Sequence, residues 1–162
     1  MKSLRIAICT LLVLAATAAA ADSEAKKSFD ALKTLQGSWA GQTSGGQAVT
    51  VSFRMTAGDT TLMSEIQGMD DMISMIHMDG DRLLLTHYCG AGNQPRMRAS
   101  ISPDQKTVVF DFVDATNLDS PKAGHMHRAV FTILAADHHT EEWDFVSNGK
   151  DQKYLFDLRR AK

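Results

Sequence analysis

Three side chains capable of chemistry occur together at the end of one apolar segment, in His87-Tyr88-Cys89. They follow the run Leu83–Thr86 and precede the glycine-rich turn Gly90–Gly92. An imidazole can exchange a proton, a phenol can donate a hydrogen bond, and a thiol can act as a nucleophile or a metal ligand. Side chains alternate along a strand, so His87 and Cys89 share one face and Tyr88 lies on the other. This alternation favours a strand end that meets a ligand over a reactive triplet.

Cys89 would serve as a nucleophile or redox centre only if a neighbour such as His87 or Arg96 lowered its pKa. A single thiol is more often a small buried apolar side chain. The chain also shows no Ser/His/Asp pattern of a hydrolase. The sequence therefore favours a non-catalytic protein.

A second pair of candidate residues, His125 and His127, begins a later apolar segment. Such residues face the same way on a strand, about 7 Å apart along the chain. Two imidazoles on one face are a common start of a Zn²⁺ or Cu²⁺ site, and histidines that hydrogen-bond a loop are the alternative. Neighbouring strands would supply the third metal ligand from His87, Cys89, Glu141 or Glu142. The pair His138-His139 is a poor chelate, because adjacent strand residues point oppositely, and we expect it on the surface.

Methionine is frequent, with nine residues in the chain, and Met69, Met72, Met75 and Met78 cluster. Thioethers combined with histidines suggest Cu(I) in an exported protein. At strand spacing, however, these four side chains divide between the two faces. The spacing therefore favours an irregular core or an adaptable apolar pocket over a copper site.

Arg96 and Arg98 share one face of the segment that follows the glycine-rich turn. A guanidinium group matches a carboxylate bidentately, so Arg96 could hold the anionic end of a ligand. Salt bridges to Asp111, Glu142 or Asp144, and plain solvation on an outer face, are the alternatives.

The first 21 residues have the features of a cleaved secretory signal peptide. Lys2 and Arg5 precede an apolar run over residues 6–14, and Ala18–Ala21 provides small residues for cleavage. The apolar run is too short to span a bilayer. We therefore expect residues 22–162 to form the mature protein, located in a bacterial periplasm or secreted.

The composition of the mature chain limits its partners. Without Lys2 and Arg5, the 17 basic residues become 15, against 19 acidic residues. This balance argues against nucleic acid, which requires a basic face. Cys9 leaves with the signal peptide, so Cys89 has no partner for an intramolecular disulfide.

The mature chain is predicted to be one all-β domain with a short N-terminal helix over residues 22–36. Ser23 and Ser28 are candidate helix caps, and after Gly37 the apolar period changes from helical to two. Asp79-Gly80 and Asn148-Gly149 are strong hairpin turns, and Pro103-Asp104 is a further connector. The predicted strands are 38–43, 47–57, 60–66, 72–78, 82–89, 95–102, 107–114, 125–135, 138–146 and 152–160.

Ten consecutive antiparallel strands without crossover helices predict an up-and-down β-barrel, because closure protects the sheet edges. The longest connector, Ala115–Gly124, is a candidate lid over the barrel mouth.

The segment Gln36-Gly37-Ser38-Trp39, in which a helix runs into a Gly-x-Trp strand, resembles the start of the calycin superfamily of lipocalin-like barrels. The resemblance implies that Trp39 seals one end of the barrel and that Arg159 or Arg160 packs over it. The nitrobindin-like calycins hold haem through a histidine near the C-terminus, and the last predicted strand here has none.

Two functional hypotheses follow. The first is a non-catalytic barrel that binds a small, largely apolar molecule with a polar or anionic end. The second is a protein that depends on haem or on a divalent metal, Zn or Cu, held by His87, His125 and His127. In the first hypothesis the residues that orient the ligand are His87, Tyr88, Arg96, His125 and His127.

Overall fold

A computed structural model describes residues 23–101 and 106–162, with the side chain of Ile101 excluded. The predicted signal peptide and the Pro103-Asp104 turn lie outside these residues. The elements follow in the order α1 (Glu24–Lys33), β1 (Gly37–Thr43), β2 (Ala48–Thr56), β3 (Thr61–Gln67), β4 (Met72–Asp79), β5 (Arg82–Tyr88), β6 (Gln94–Ile101), β7 (Thr107–Thr116), β8 (His125–Ala135), β9 (His138–Ser147) and β10 (Lys150–Arg160).

The ten strands form a closed barrel in which each strand pairs antiparallel with its neighbours along the chain. The ring closes between β1 and β10, where Trp39 pairs with Arg160 and Thr43 pairs with Phe156. The prediction of an up-and-down antiparallel barrel is therefore confirmed. The strand ends differ from the predicted ones by about two residues or fewer, as is usual for element boundaries.

Helix α1 covers one end of the barrel. Ser23 is its N-cap and accepts a hydrogen bond from the Lys26 backbone N–H, whereas Ser28 lies inside the helix and is buried. The apolar side chains of Phe29 and Leu32 are buried against the barrel, so the helix is amphipathic and supplies the floor of the core.

Trp39 closes the same end. Its Nε1–H donates to the Leu35 carbonyl oxygen at 2.7 Å, and the Arg160 guanidinium lies over the ring, 4.3 Å from its centroid. Arg160 also donates to the carbonyl oxygens of Gln36 and Thr34. The expected packing of a C-terminal arginine over Trp39 is present, and Arg160 is the residue that provides it.

Aromatic rings fill the middle of the barrel. Their contacts run across the interior from strand to strand, with centroid separations between 4.2 and 6.4 Å. The rings in contact are Trp39, Phe53, His87, Phe110, Phe131, His139 and Trp143. These packed rings thus occupy the middle of the barrel interior.

The predicted hairpins at Asp79-Gly80 and Asn148-Gly149 are present between β4 and β5 and between β9 and β10. Asn148 and Gly149 both have positive φ, at 51° and 72°, which fits a type I′ turn. In the described part of the chain, no helix has the length and apolar character needed to cross a membrane.

Candidate functional site

The predicted site residues gather at one end of the barrel, which we call the mouth. Because the strands run up and down, β5 and β7 end there and β6 and β8 begin there. This places His87 and Cys89 at the same end as His125 and His127. The sequence predicted that positional relationship.

His87 points into the barrel, in agreement with its alternation with Leu83 and Leu85. It is fully buried, its Nδ1 lies 2.9 Å from the Ser74 hydroxyl, and its ring packs on Trp143. Burial lowers the pKa of His87 from 6.5 to about 4. Within the described part of the chain its Nε2 has no hydrogen-bond partner, which leaves one polar atom able to bind water or a ligand.

A second buried polar cluster lies on β9. The carboxylate of Glu141 accepts a hydrogen bond from Trp143 Nε1–H at 2.9 Å and lies 3.1 Å from His139 Nε2. Both His139 and Glu141 are fully buried. The prediction that His139 is a surface residue is therefore wrong. The face shared by His139, Glu141, Trp143 and Phe145 carried the necessary information, because two large aromatic side chains mark it as the inward face.

His125 and His127 lie together at the start of β8. The register of β8 against β9 shifts between Met126 and Arg128, so His127 sits in a bulge. His125 Nε2 is 3.2 Å from His127 Nδ1, and the ring of Phe112 contacts both imidazoles. The rings thus come closer than the ~7 Å strand spacing suggested.

The tautomer of this pair follows from its partners. His125 Nδ1 lies 2.9 Å from the Ala123 carbonyl oxygen, which only accepts, so Nδ1 carries the hydrogen. In the neutral pair, His125 Nε2 accepts from His127 Nδ1–H. The Nε2 atom of His127 then keeps a lone pair that can accept a hydrogen bond from a ligand.

The two histidines border an open pocket of about 520 Å³ beside the β7–β8 connector, which we call the connector pocket. Its apolar wall includes Phe112, Leu118 and Pro121, and its polar lining includes His125 and His127. Hydrogen bonds tie the connector to neighbouring segments, among them Asn117 to Gln94, Asn93 to the Gly124 carbonyl, and the Asn148 N–H to the Lys122 carbonyl. The connector thus forms one side of this pocket.

Tyr88 and Arg96 lie on the outer face of the barrel. Tyr88 is 49% exposed, and the structure does not bring it to the connector pocket. Arg96 Nε and Nη2 donate to the two oxygens of Asp114 at 2.5 and 2.6 Å. These hydrogen bonds hold the pKa of Asp114 below its usual value and raise the pKa of Arg96. Asp114 lines the connector pocket, whereas Arg96 contacts Asp114 without lining the pocket itself.

The three histidines of the metal hypothesis are not brought together. Among residues 23–101 and 106–162, no three His, Cys, Asp or Glu side chains form a group that could hold a metal. The two carboxylates considered as third ligands have other partners, since Glu141 binds Trp143 and Glu142 interacts with Arg128 and Lys153. His125 and His127 are the part of that ligand set that the fold does bring together.

Comparisons with known proteins support the fold. No family model and no curated protein matches the chain. Among solved structures, the crystal structure of Rv2717c from M. tuberculosis is similar, with a TM-score of 0.52 and 16% sequence identity. The match covers 83% of this chain and 98% of Rv2717c. At this identity the likeness establishes a shared barrel fold.

Proposed function

We propose that the protein is a non-catalytic binding barrel that holds a small, largely apolar molecule with a polar end in the connector pocket. The observation that carries the proposal is the combination of an apolar wall with two coupled imidazoles in one space of about 520 Å³. A volume of this size lies in the range of small-molecule sites, where an apolar wall is combined with polar groups that orient the ligand. Phe112 and the connector would contact the apolar body, and His127 the polar end.

The charges around the pocket favour a ligand end that donates hydrogen bonds. Asp114 and Asp119 both line the pocket, and the imidazole pair in its neutral form would offer an acceptor at His127. These carboxylates would repel an anionic ligand end, although Arg96 offsets the negative charge of Asp114. An alcohol, a phenol or an amine therefore suits the pocket better than a carboxylate.

The proposal includes an exported protein of calycin type. The cationic group of Arg160 over Trp39 supports the calycin relationship, and the basic, apolar and small-residue segments of residues 1–21 support export to the periplasm or the medium. Native mass spectrometry of protein purified from its own host tests two claims. A retained small molecule would support ligand binding, and the mass of the chain would show whether residues 1–21 have been removed.

A displacement titration tests the site. Nile red bound to the protein should be displaced by 2-naphthol more readily than by 2-naphthoate. His127→Ala should weaken 2-naphthol binding about fivefold, the equivalent of one lost hydrogen bond of ~1 kcal/mol. His138→Ala, at the start of β9 and near the α1 end of the barrel, is the matched control. Dye binding that is absent, or that is indifferent to His127→Ala, would contradict the proposal.

A further inference from the structure

The mouth carries a second space whose chemistry differs from that of the connector pocket. Four sulfur-bearing side chains from four parts of the chain border one pocket of about 220 Å³, which we call the sulfur pocket. Met69 comes from the β3–β4 connector, Met72 from the start of β4, Cys89 from the end of β5, and Met126 from the start of β8. None of the side chains that line this pocket contains nitrogen, and those that contain oxygen are Asp70 and Tyr154.

The sulfur-bearing side chains are shielded from bulk water. Met72 and Met126 are 5% and 6% exposed, and Met69 and Cys89 are partly buried against the core. The rest of the wall includes Phe145 and Ala91. Soft, polarizable sulfur atoms in an apolar surrounding disfavour hard cations such as Mg²⁺ and Ca²⁺, which need several oxygen ligands.

Burial raises the pKa of the Cys89 thiol, and the Asp70 carboxylate makes a smaller contribution in the same direction. A raised pKa disfavours the thiolate, which argues against the nucleophilic role considered from the sequence. A monovalent cation that replaces the thiol proton would leave the charge of the pocket unchanged.

The loops that carry Met69 and Cys89 are pressed together. A Cβ atom added to Gly90 would lie 2.6 Å from the Cβ of Asp70 and 2.8 Å from its Oδ2, so the Asp70 side chain packs directly against the Gly90 backbone. This contact joins the β3–β4 and β5–β6 connectors. The sulfur pocket thus lies beside two connectors in contact, and its flexible thioether side chains can adapt to a metal.

We propose that the sulfur pocket binds one Cu(I) ion through the Cys89 thiolate and the thioethers of Met69, Met72 and Met126. Thiolate and thioether ligands favour soft metal ions such as Cu(I), whereas Zn²⁺ sites use thiolate, imidazole and carboxylate ligands. The step is Cys–SH + Cu⁺ → Cys–S–Cu + H⁺, in which one S–H bond is replaced by one S–Cu bond and nothing is oxidised. The site is separate from the connector pocket and does not depend on a ligand there.

Competition with a chromophoric chelator tests the proposal. The reduced protein, without oxygen, should withdraw one equivalent of Cu(I) from its bicinchoninate complex and release one proton in weak buffer. Met72→Leu and Met126→Leu should each weaken Cu(I) binding by about tenfold or more, since even changes outside the ligand shell reach that size. Met63→Leu and Met75→Leu, a cross-strand pair outside the pocket, are the controls.

Folding and occupancy are checked in the same series. Cys89→Ser keeps the size of the side chain and should abolish proton release while the circular dichroism spectrum stays that of the parent. Wild-type protein that leaves Cu(I) with the chelator would overturn the proposal. So would pocket variants that bind Cu(I) as tightly as Met63→Leu.

Discussion

The interior of this barrel holds ionisable side chains that are isolated from water, and His87 shows the effect most clearly. Its Nδ1 is hydrogen-bonded to the Ser74 hydroxyl, its ring lies on Trp143, and its Nε2 has no partner among residues 23–101 and 106–162. Desolvation disfavours the imidazolium, which is why burial lowers the pKa of His87 to about 4. The folded protein therefore keeps this histidine neutral across the range in which an exposed histidine takes up a proton.

His87 should make the folded protein less stable as the pH is lowered. Between pH 6.5 and about 4 the unfolded chain binds a proton at this residue and the folded chain does not. The contribution is thus fully present above pH 6.5 and is lost as the pH falls to 4, up to ~3 kcal/mol. Urea titrations of the parent and of His87→Gln should show this difference in free energy of unfolding.

His77→Gln, which removes a histidine from the outer face, provides the comparison for that measurement. Its pH profile should follow the parent profile much more closely than that of His87→Gln does. Parallel profiles for the parent and for His87→Gln would show that His87 is not neutral in the folded protein.

Strand alternation determined which single residues the sequence could place correctly. Leu83 and Leu85 identified the inward face of β5, so the buried position of His87 was predictable. The same logic applies to β9, where Trp143 and Phe145 mark the face of His139 and Glu141. The expectation for His139 failed because the two histidines were treated as a pair, without assigning His139 to that face. The partners of these side chains depend on neighbouring strands and could not be read from the local pattern.

At the scale of elements, the hairpins were predictable and the bulge was not. Asp79-Gly80 and Asn148-Gly149 combine residues that tolerate positive φ with flanking strand patterns. The register shift between Met126 and Arg128 has no such signature. It decides the arrangement of His125 and His127, so the sequence indicated the pair and the structure was needed for its geometry.

The close approaches at the mouth predict which glycines are required. A Cβ on Gly124 would lie 2.5 Å from Cζ of Phe145, so Gly124→Ala must displace the ring or the end of the connector. Overpacking of this kind costs about 1–3 kcal/mol. Chemical denaturation of the variant should show a loss in this range, together with weaker dye binding in the connector pocket.

Gly45→Ala serves as the matched substitution. The nearest atom to its added Cβ would be Thr43 Oγ1, at 3.6 Å, an ordinary van der Waals distance. Its stability should remain close to that of the parent. Equal stabilities for Gly124→Ala and Gly45→Ala would mean that Phe145 and the connector yield at no cost.

On the scale of the whole molecule, Trp39 and Arg160 join the first strand, the last strand and the segment that leaves α1. Trp39 is 1% exposed, and its ring contacts His139 as well as the Arg160 guanidinium. The number of strands and their antiparallel order could be predicted from periodicity and turns alone. The closure contact was expected only through the calycin resemblance, because it joins residues far apart in the chain.

Trp39→Ala should destabilise the protein by about 3–5 kcal/mol, as expected for truncation of a fully buried aromatic side chain. The free energy of unfolding from guanidinium titration measures this loss. Leu155→Ala, on β10 at a position that is 43% exposed, should change it far less. A neutral Trp39→Ala would contradict the role of this residue in sealing the barrel.

The pairing of β1 with β10 also has a consequence for the order of folding. Arg160 donates to the Gln36 carbonyl across 124 positions of sequence, so this contact carries one of the largest loop-closure entropies in the chain. Until β10 is in place, β1 and β9 present unpaired backbone edges that can recruit another chain. The last strand therefore decides whether a folding molecule completes its own ring or joins an aggregate.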